Sequence, residues 1–118
     1  MPRFELQRAA DKLIREVFDV KKDEVVIVTA DTGSDMDLVN AVASSVYAVG
    51  AKPMVIVIAE PDGVGKAADP GIPVEELTGA LMHCDVWIEF NHQWLLYSTP
   101  FERAIAGNPK LRYMCLVD

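Results

Sequence analysis

Positive charge is scarce in this sequence. Its 118 residues carry 11 lysines and arginines against 18 aspartates and glutamates, which gives a formal net charge of −7 at pH 7. An acidic protein is repelled by the phosphate backbone of nucleic acids and by anionic lipid surfaces. We therefore expect neither nucleic acid nor a membrane as a partner.

Cysteines and long apolar runs are also few. The two cysteines, Cys84 and Cys115, lie in apolar runs and form no C-x-x-C pair. This pattern predicts buried, reduced thiols in a cytoplasmic protein. The amino-terminal residues include no apolar segment of the kind found in signal peptides. The longest apolar run is too short to cross a bilayer.

Nucleotide-binding motifs are absent. A dinucleotide fingerprint requires three glycines, and only Gly33 follows the first predicted strand. The segment Gly63-Val64-Gly65-Lys66 resembles the end of a Walker A loop. However, that motif needs a glycine where Glu60 stands and a serine or threonine where Ala67 stands. We interpret the segment as part of a surface loop.

Metal-binding and catalytic patterns are absent as well. The spacing of His83, Cys84, Asp85 and His92 matches no zinc pattern. We expect no catalytic residue, no metal site and no cofactor within this chain. His92 follows a predicted strand, but a lone histidine is more often structural than functional.

What the sequence does contain is a regular alternation of strand and helix patterns. Short, mainly apolar segments at 25–28, 54–58, 86–90 and 111–117 predict four strands, and the continuous apolar runs at 25–28 and 54–58 indicate strands covered on both faces. Helical patterns at 3–18, 36–49, 73–84 and 99–107 precede or separate these strands. The length fits one domain over residues 1–118.

The predicted fold follows from this order of elements. Right-handed β-α-β crossovers lead to a three-layer α/β fold, with a mainly parallel, Rossmann-like sheet in the order 2-1-3-4. The first two helices then cover one face and the last two cover the other. Ser34 is expected to cap the second helix and Thr99 the fourth. Residues 60–73, rich in glycine and proline, are expected to form a mobile loop.

The same topology predicts where a ligand would bind. Open α/β sheets bind ligands at the carboxyl ends of the strands where the strand order reverses, which is here between strands one and three. The candidate binding residues in the two bordering loops are Asp31, Thr32, Gly33, Asn91, His92 and Trp94. The alternative interpretations are a capped helix entrance for the first loop, and a cover over the end of the sheet for Trp94 and its neighbours.

Several segments resemble the amino-terminal domain of aminopeptidase T-type metallo-aminopeptidases and of their relatives, the 2,5-dihydroxypyridine dioxygenases. The resemblance covers nearly the whole chain and the first part of a family member. The segments that carry it are Lys22-Asp23-Glu24-Val25-Val26-Ile27-Val28, Val49-Gly50-Ala51-Lys52-Pro53, Cys84-Asp85-Val86-Trp87-Ile88 and Tyr97-Ser98-Thr99-Pro100.

The resemblance implies a non-catalytic amino-terminal domain of a larger metal-dependent enzyme. In such proteins the divalent metal ligands lie in the carboxyl-terminal part, so this chain would shape the active-site entrance or support an oligomer. Two other hypotheses remain open. The chain could be a stand-alone module that dimerises through its apolar edge strands, or a small flavin or nucleotide binder that uses the turn at Thr32 and Gly33.

Overall fold

The structure, a computed structural model, describes residues 3–116. Its α-helices are α1 (Phe4–Lys12), α2 (Met36–Ala48), α3 (Val74–Leu81) and α4 (Thr99–Gly107). Its strands are β1 (Val25–Asp31), β2 (Lys52–Ile58), β3 (Val86–Glu89) and β4 (Arg112–Cys115). A π-helical turn at Leu13–Val17 extends α1, and a 3-10 helix occupies Gly65–Gly71.

The sheet has the predicted topology. The four strands lie in the order β2-β1-β3-β4, and all three pairings are parallel. The helices form a layer on each face, as the right-handed crossover rule requires. The α/β fold class and the strand order are therefore confirmed.

Alternate residues of the central strands enter two separate cores. Val26, Val28 and Ile88 pack on one face with apolar residues of α1 and α2. Ile27 and Trp87 pack on the other face with residues of the 3-10 helix, α3 and α4. Both faces of β1 and β3 are buried, which explains the uninterrupted apolar segments at 25–28 and 86–88 in the sequence.

The burial predicted for β2 was wrong. The side chains of Met54, Val55 and Val57 are 45%, 37% and 48% exposed. β2 lies at the edge of the sheet and no other strand within residues 3–116 pairs with its outer side. A strand at the sheet edge has a neighbouring strand on one side only, so its side chains are less covered than those of a central strand, even when they are equally apolar.

Two helix caps also differ from the prediction. The side chain of Asp35, not Ser34, accepts hydrogen bonds from the backbone N–H groups of Asp37 and Leu38. Ser34 instead donates its hydroxyl to the carbonyl oxygen of Phe90, 2.8 Å away. At α4 the cap is Ser98, whose hydroxyl accepts from the N–H of Phe101.

Three element bounds are corrected in the same way. The helix predicted at 3–18 is an α-helix only as far as Lys12, and the helix predicted to reach Cys84 ends at Leu81. Strand four is shorter than predicted, and Val117, its expected last residue, lies outside the described residues. Cys84 is buried as expected, whereas Cys115 is only partly buried because β4 is the other edge strand.

The segment expected to be an irregular loop is partly helical. Gly65 opens the 3-10 helix with a φ of +60°, and its N–H donates to the carbonyl of Trp94 at 3.0 Å. A side chain at this position would press on the carbonyl oxygen of Leu96. Ala68 and Ile72 anchor the segment in the core. Residues 60–73 are thus attached to the rest of the fold.

No helix in the described part of the chain is long and apolar enough to cross a membrane.

An ion pair joins the amino end of β1 to β4. Two guanidinium nitrogens of Arg112 donate to the two carboxylate oxygens of Glu24, at 2.8 and 3.0 Å. The hydrogen bonds from Arg112 lower the pKa of Glu24 from its ordinary value of 4.5 to about 2. The folded state therefore favours the ionised carboxylate.

We expect this pair to make stability depend on pH in the acidic range. Because the folded-state pKa lies below the ordinary value, the stabilisation is complete above about 4.5 and is lost as the pH falls through about 2. Arg112→Gln should reduce the free energy of unfolding by about 1–2 kcal/mol near neutral pH and flatten that acid dependence.

Urea unfolding followed by circular dichroism, near neutral pH and at acidic pH, measures both effects. Arg103→Gln is the matched control, since its ion pair with Glu75 joins side chains that are 48% and 75% exposed. That variant should lose no more than about 0.5 kcal/mol. Equal losses in the two variants would contradict the assignment to the Glu24 pair.

Candidate functional site

The predicted crevice lies at the carboxyl ends of β1 and β3, which are adjacent in the sheet. One border is the turn that follows Asp31, the last residue of β1. The other is the segment from Asn91 to Tyr97 between β3 and α4, hereafter the β3–α4 loop. Both borders carry the residues that the sequence indicates as candidate binding groups.

Asp31 joins the two borders. It is fully buried, and its carboxylate accepts hydrogen bonds from the backbone N–H groups of Gly33 at 2.8 Å and of Gln93 at 2.9 Å. Each carboxylate oxygen thus accepts a bond from a different border. The position of Asp31 explains how the β3–α4 loop is held against the β1 turn.

Near this buried carboxylate lies a partly exposed polar cluster that includes Glu60, which is not among the candidate residues predicted from the sequence. Glu60, two residues after β2, places its Oε1 atom 2.6 Å from Nδ1 of His92 and 3.4 Å from the amide nitrogen of Gln93. The backbone N–H of Glu60 donates to the Thr32 hydroxyl at 3.1 Å. Segments that follow three strands, β1, β2 and β3, therefore border the crevice, whereas the sequence predicted only those that follow β1 and β3.

The hydrogen bond with His92 is the main reason why the pKa of Glu60 is lowered. Partial burial opposes this effect, and the hydrogen bond from Gln93 adds to the lowering. Gly33 lies beneath this pair, where a side chain would meet the Glu60 carboxylate and Cβ of His92. Glycine at this position thus permits the contact between the β2 end and the β3–α4 loop. We define the polar cluster as Thr32, Glu60, His92 and Gln93.

The predicted site residue Asn91 has a buried amide group without hydrogen-bond partners within residues 3–116. It is 1% exposed, and neither its amide nitrogen nor its amide oxygen has a hydrogen-bond partner among the described residues. An unpaired buried amide is unfavourable by about 1–3 kcal/mol per group. In the described part of the chain, Asn91 is the one buried side chain with both an unused donor and an unused acceptor, and it lies at the start of the β3–α4 loop.

A second buried carboxylate supports the same loop. Glu89, the last residue of β3, is fully buried, and its Oε2 atom accepts the backbone N–H of Leu95. Its Oε1 atom accepts the Tyr113 hydroxyl at 2.6 Å. Burial is the main cause of the raised pKa of Glu89. In the sequence, Glu89 is the one charged residue in the otherwise apolar segment at 86–90, and this contrast could have identified it.

The entrance to α2 is not arranged for a phosphate. The N–H groups of Asp37 and Leu38, which a phosphate would use, already bond to the Asp35 carboxylate. Asp31 and Glu60 add further negative charge nearby. These contacts give no support to the flavin or nucleotide hypothesis.

The described residues include no group of three or more His, Cys, Asp or Glu side chains that could hold a metal ion. The carboxylates of Asp31 and Glu89 are committed to backbone N–H groups, and Glu60 pairs with His92. The residues present at the crevice therefore do not fit a divalent metal centre.

The structure brings together most of the predicted site residues. Thr32, Gly33 and His92 meet at the polar cluster, with Asp31 beneath them. Asn91 is buried at the start of the loop, and the carbonyl of Trp94, which is 37% exposed, accepts the N–H of Gly65. Glu60 and Gln93 complete the cluster. The strand order could have identified Glu60, since it follows the strand next to β1.

Apart from the crevice, a small apolar groove of about 270 Å³ lies between α1, α2 and the carboxyl ends of β3 and β4. Its walls are formed by Ala9, Ala10, Leu13, Leu38, Val42, Phe90 and Leu116.

Comparison with known proteins identifies a solved structure with the same fold. No family model and no curated protein sequence matches this chain. Among solved structures, 2,5-dihydroxypyridine dioxygenase from Pseudomonas putida KT2440 is similar to it, with a TM-score of 0.79 and 18% identity. The match covers 100% of this chain and 35% of that one. The aminopeptidase side of the expected resemblance finds no support, whereas the whole chain shares its fold with about a third of a dioxygenase.

Proposed function

We propose that this chain is a non-catalytic α/β domain of a larger, dioxygenase-like enzyme, in which it borders the entrance to an active site built elsewhere. The observation that carries the proposal is the fold likeness, which extends over 100% of this chain but only 35% of the dioxygenase. Any divalent metal would be bound outside this chain.

The geometry of the crevice supports an accessory role. Its buried carboxylates, Asp31 and Glu89, accept hydrogen bonds from backbone N–H groups and so position the β3–α4 loop. The loop in turn exposes His92 and Trp94 at the carboxyl edge of the sheet, where open α/β sheets bind ligands. This arrangement fits a surface that contacts a substrate or a neighbouring domain.

Activity measurements test the proposal directly. The 118-residue chain, supplied with a panel of divalent metal ions, should consume no oxygen in the presence of 2,5-dihydroxypyridine. The product of the natural open reading frame that contains it should consume oxygen under the same conditions. Turnover by the 118-residue chain alone, or a reading frame that ends at residue 118 with no partner gene, would contradict the proposal.

Within that longer product, Trp94→Ala should raise KM by about tenfold or less, with kcat almost unchanged, because it removes a contact surface and no reacting group. Ile105→Ala is the matched control, since Ile105 is 47% exposed on α4. That variant should leave both constants unchanged. A loss of kcat with unchanged KM in Trp94→Ala would argue against an entrance role.

A further inference from the structure

The outer edge of β2 exposes an unusual amount of apolar surface. Met54, Val55 and Val57 are all more than a third exposed, and the last two lie on the same face of the strand. Proteins usually protect edge strands with charges, prolines or bulges. Here Lys52 and Pro53 stand at the amino end only, and residues 54–59 carry no charge.

We propose that β2 pairs antiparallel with β2 of a second copy of this chain, about a two-fold axis at Ile56, so that two sheets join into one. The proposal does not depend on the proposed enzyme function, because it concerns a different edge of the domain. It would hold for an accessory domain and for a stand-alone module alike.

The backbone of β2 limits the possible registers. Lys52 donates its N–H to Glu24, and the carbonyl of Ile58 accepts from Thr32, so even-numbered residues direct their backbone groups toward β1. The odd-numbered residues from Pro53 to 59 therefore direct theirs to the free edge. In an antiparallel pair, an odd-numbered residue of one copy must face an odd-numbered residue of the other. The numbers of two facing residues then add up to an even number, so the two-fold axis passes through a residue and not between two residues.

Side-chain matching selects one of these registers. An axis at Ile56 places Val55 opposite Val57 of the second copy and Lys52 opposite its Glu60. An axis at Val55 would instead place Lys52 opposite Ile58. An axis at Val57 would place Met54 opposite Glu60. Of these three axes, only the one at Ile56 pairs apolar side chains with apolar side chains and a lysine with a glutamate. Both kinds of cross-strand pair stabilise a sheet.

This register has a consequence for the crevice. Glu60 belongs to the polar cluster, where its Oε1 atom bonds with His92 and Gln93. The dimer would bring the ammonium group of Lys52 from the second copy toward the same carboxylate. Each crevice would then gain a positive charge that the isolated chain does not provide.

Disulfide trapping tests the register. In a Cys115→Ser background, which removes the partly exposed native thiol, Ile56→Cys should form a covalent dimer on mild oxidation. Facing residues of a non-hydrogen-bonded pair have Cα atoms about 4.5 Å apart, which suits a disulfide. Met54→Cys is the control, because the two copies of residue 54 would lie roughly 14 Å apart.

Sedimentation of the unmodified chain and two lysine variants tests the interface itself. The unmodified chain should sediment as a dimer at micromolar concentrations. Val57→Lys should raise the dissociation constant by about tenfold or more, whereas Ile105→Lys, at a similarly exposed site on α4, should leave it unchanged. Circular dichroism confirms that each variant is folded.

Three outcomes would overturn the proposal. The first is an unmodified chain that remains monomeric over this range. The second is a dimer that survives Val57→Lys, which would point to another surface such as the apolar groove. The third is trapping at residue 54 as efficient as at residue 56, which would exclude the register.

Discussion

Replacing Trp87 with alanine should lower the free energy of unfolding by about 3–5 kcal/mol, the range typical of a fully buried aromatic side chain. Trp87 is 0% exposed at the centre of β3. Its ring lies 4.5 Å from that of Tyr113 and 6.3 Å from that of Phe101, measured between centroids. The substitution leaves a cavity between the sheet, α3 and α4.

Two further variants separate packing from hydrogen bonding. Nε1 of Trp87 donates to the Thr29 hydroxyl at 2.8 Å, and both groups are buried. Trp87→Phe keeps most of the ring contacts and should lose about 1–2 kcal/mol. Thr29→Val keeps the ring and its contacts but leaves the indole N–H unpaired, which should lose about 1–3 kcal/mol.

Chemical unfolding followed by circular dichroism measures all three variants. Tryptophan fluorescence is unsuitable because two of the variants remove the reporting indole. A loss below about 2 kcal/mol in Trp87→Ala would mean that the surrounding helices collapse into the cavity. That result would contradict the expectation that the cavity persists.

Replacing Glu89 with alanine should lower the free energy of unfolding by about 2–4 kcal/mol. The carboxylate accepts hydrogen bonds from the N–H of Leu95 and the hydroxyl of Tyr113. Removing it leaves the buried N–H of Leu95 and the partly buried hydroxyl of Tyr113 unpaired, and an unpaired buried donor is unfavourable by about 1–3 kcal/mol. Part of this loss is offset, because burying a carboxylate is itself unfavourable.

Glu89→Gln separates charge from shape. Glutamine resembles the protonated carboxyl group and keeps an acceptor oxygen, so the loss near neutral pH should be about 1 kcal/mol or less. Burial raises the pKa of Glu89 above its ordinary value of 4.5. The stability that Glu89 contributes is therefore complete below about 4.5 and declines as the pH rises through the folded-state pKa.

The glutamine variant should lack this decline. Its stability relative to the unmodified chain should improve as the pH rises from mildly acidic to neutral. Unfolding curves at several pH values, with Arg103→Gln as a surface control, measure the trend. A glutamine variant less stable than the alanine variant at neutral pH would show that the negative charge itself is required beneath the β3–α4 loop.

The sequence predicted the strands and their order because consecutive β-branched residues and intervening helices restrict the topology severely. The run at 25–28 is buried on both faces as expected, apart from the partly buried Val25, and β3 is buried along its whole length as well. The apolar run at 54–58 resembles that at 25–28, however, and the sequence differs mainly by Lys52 and Pro53 at the start of β2. The exposure of β2 follows from its place at the sheet edge, which the predicted strand order already implied, whereas the burial was read from the apolar run alone.

The details of the site were less predictable because they depend on contacts between distant segments. Ser34 and Asp35 are both good capping residues, and the choice between them depends on Phe90, which binds the Ser34 hydroxyl from 56 positions away. Glu60 lies in a stretch that reads as a loop. It enters the crevice only because β2 and β3 flank β1 on opposite sides.

The attachment of the β3–α4 loop by Asp31 and Glu89 has a consequence for protein engineering. Both carboxylates hold the loop through backbone N–H groups, those of Gln93 and Leu95, so any amino acid except proline can supply the required donor. Positions 92, 93 and 94 could therefore be randomised in a library while the strands continue to dictate the backbone. The domain would then serve as a scaffold whose recognition surface is exchangeable.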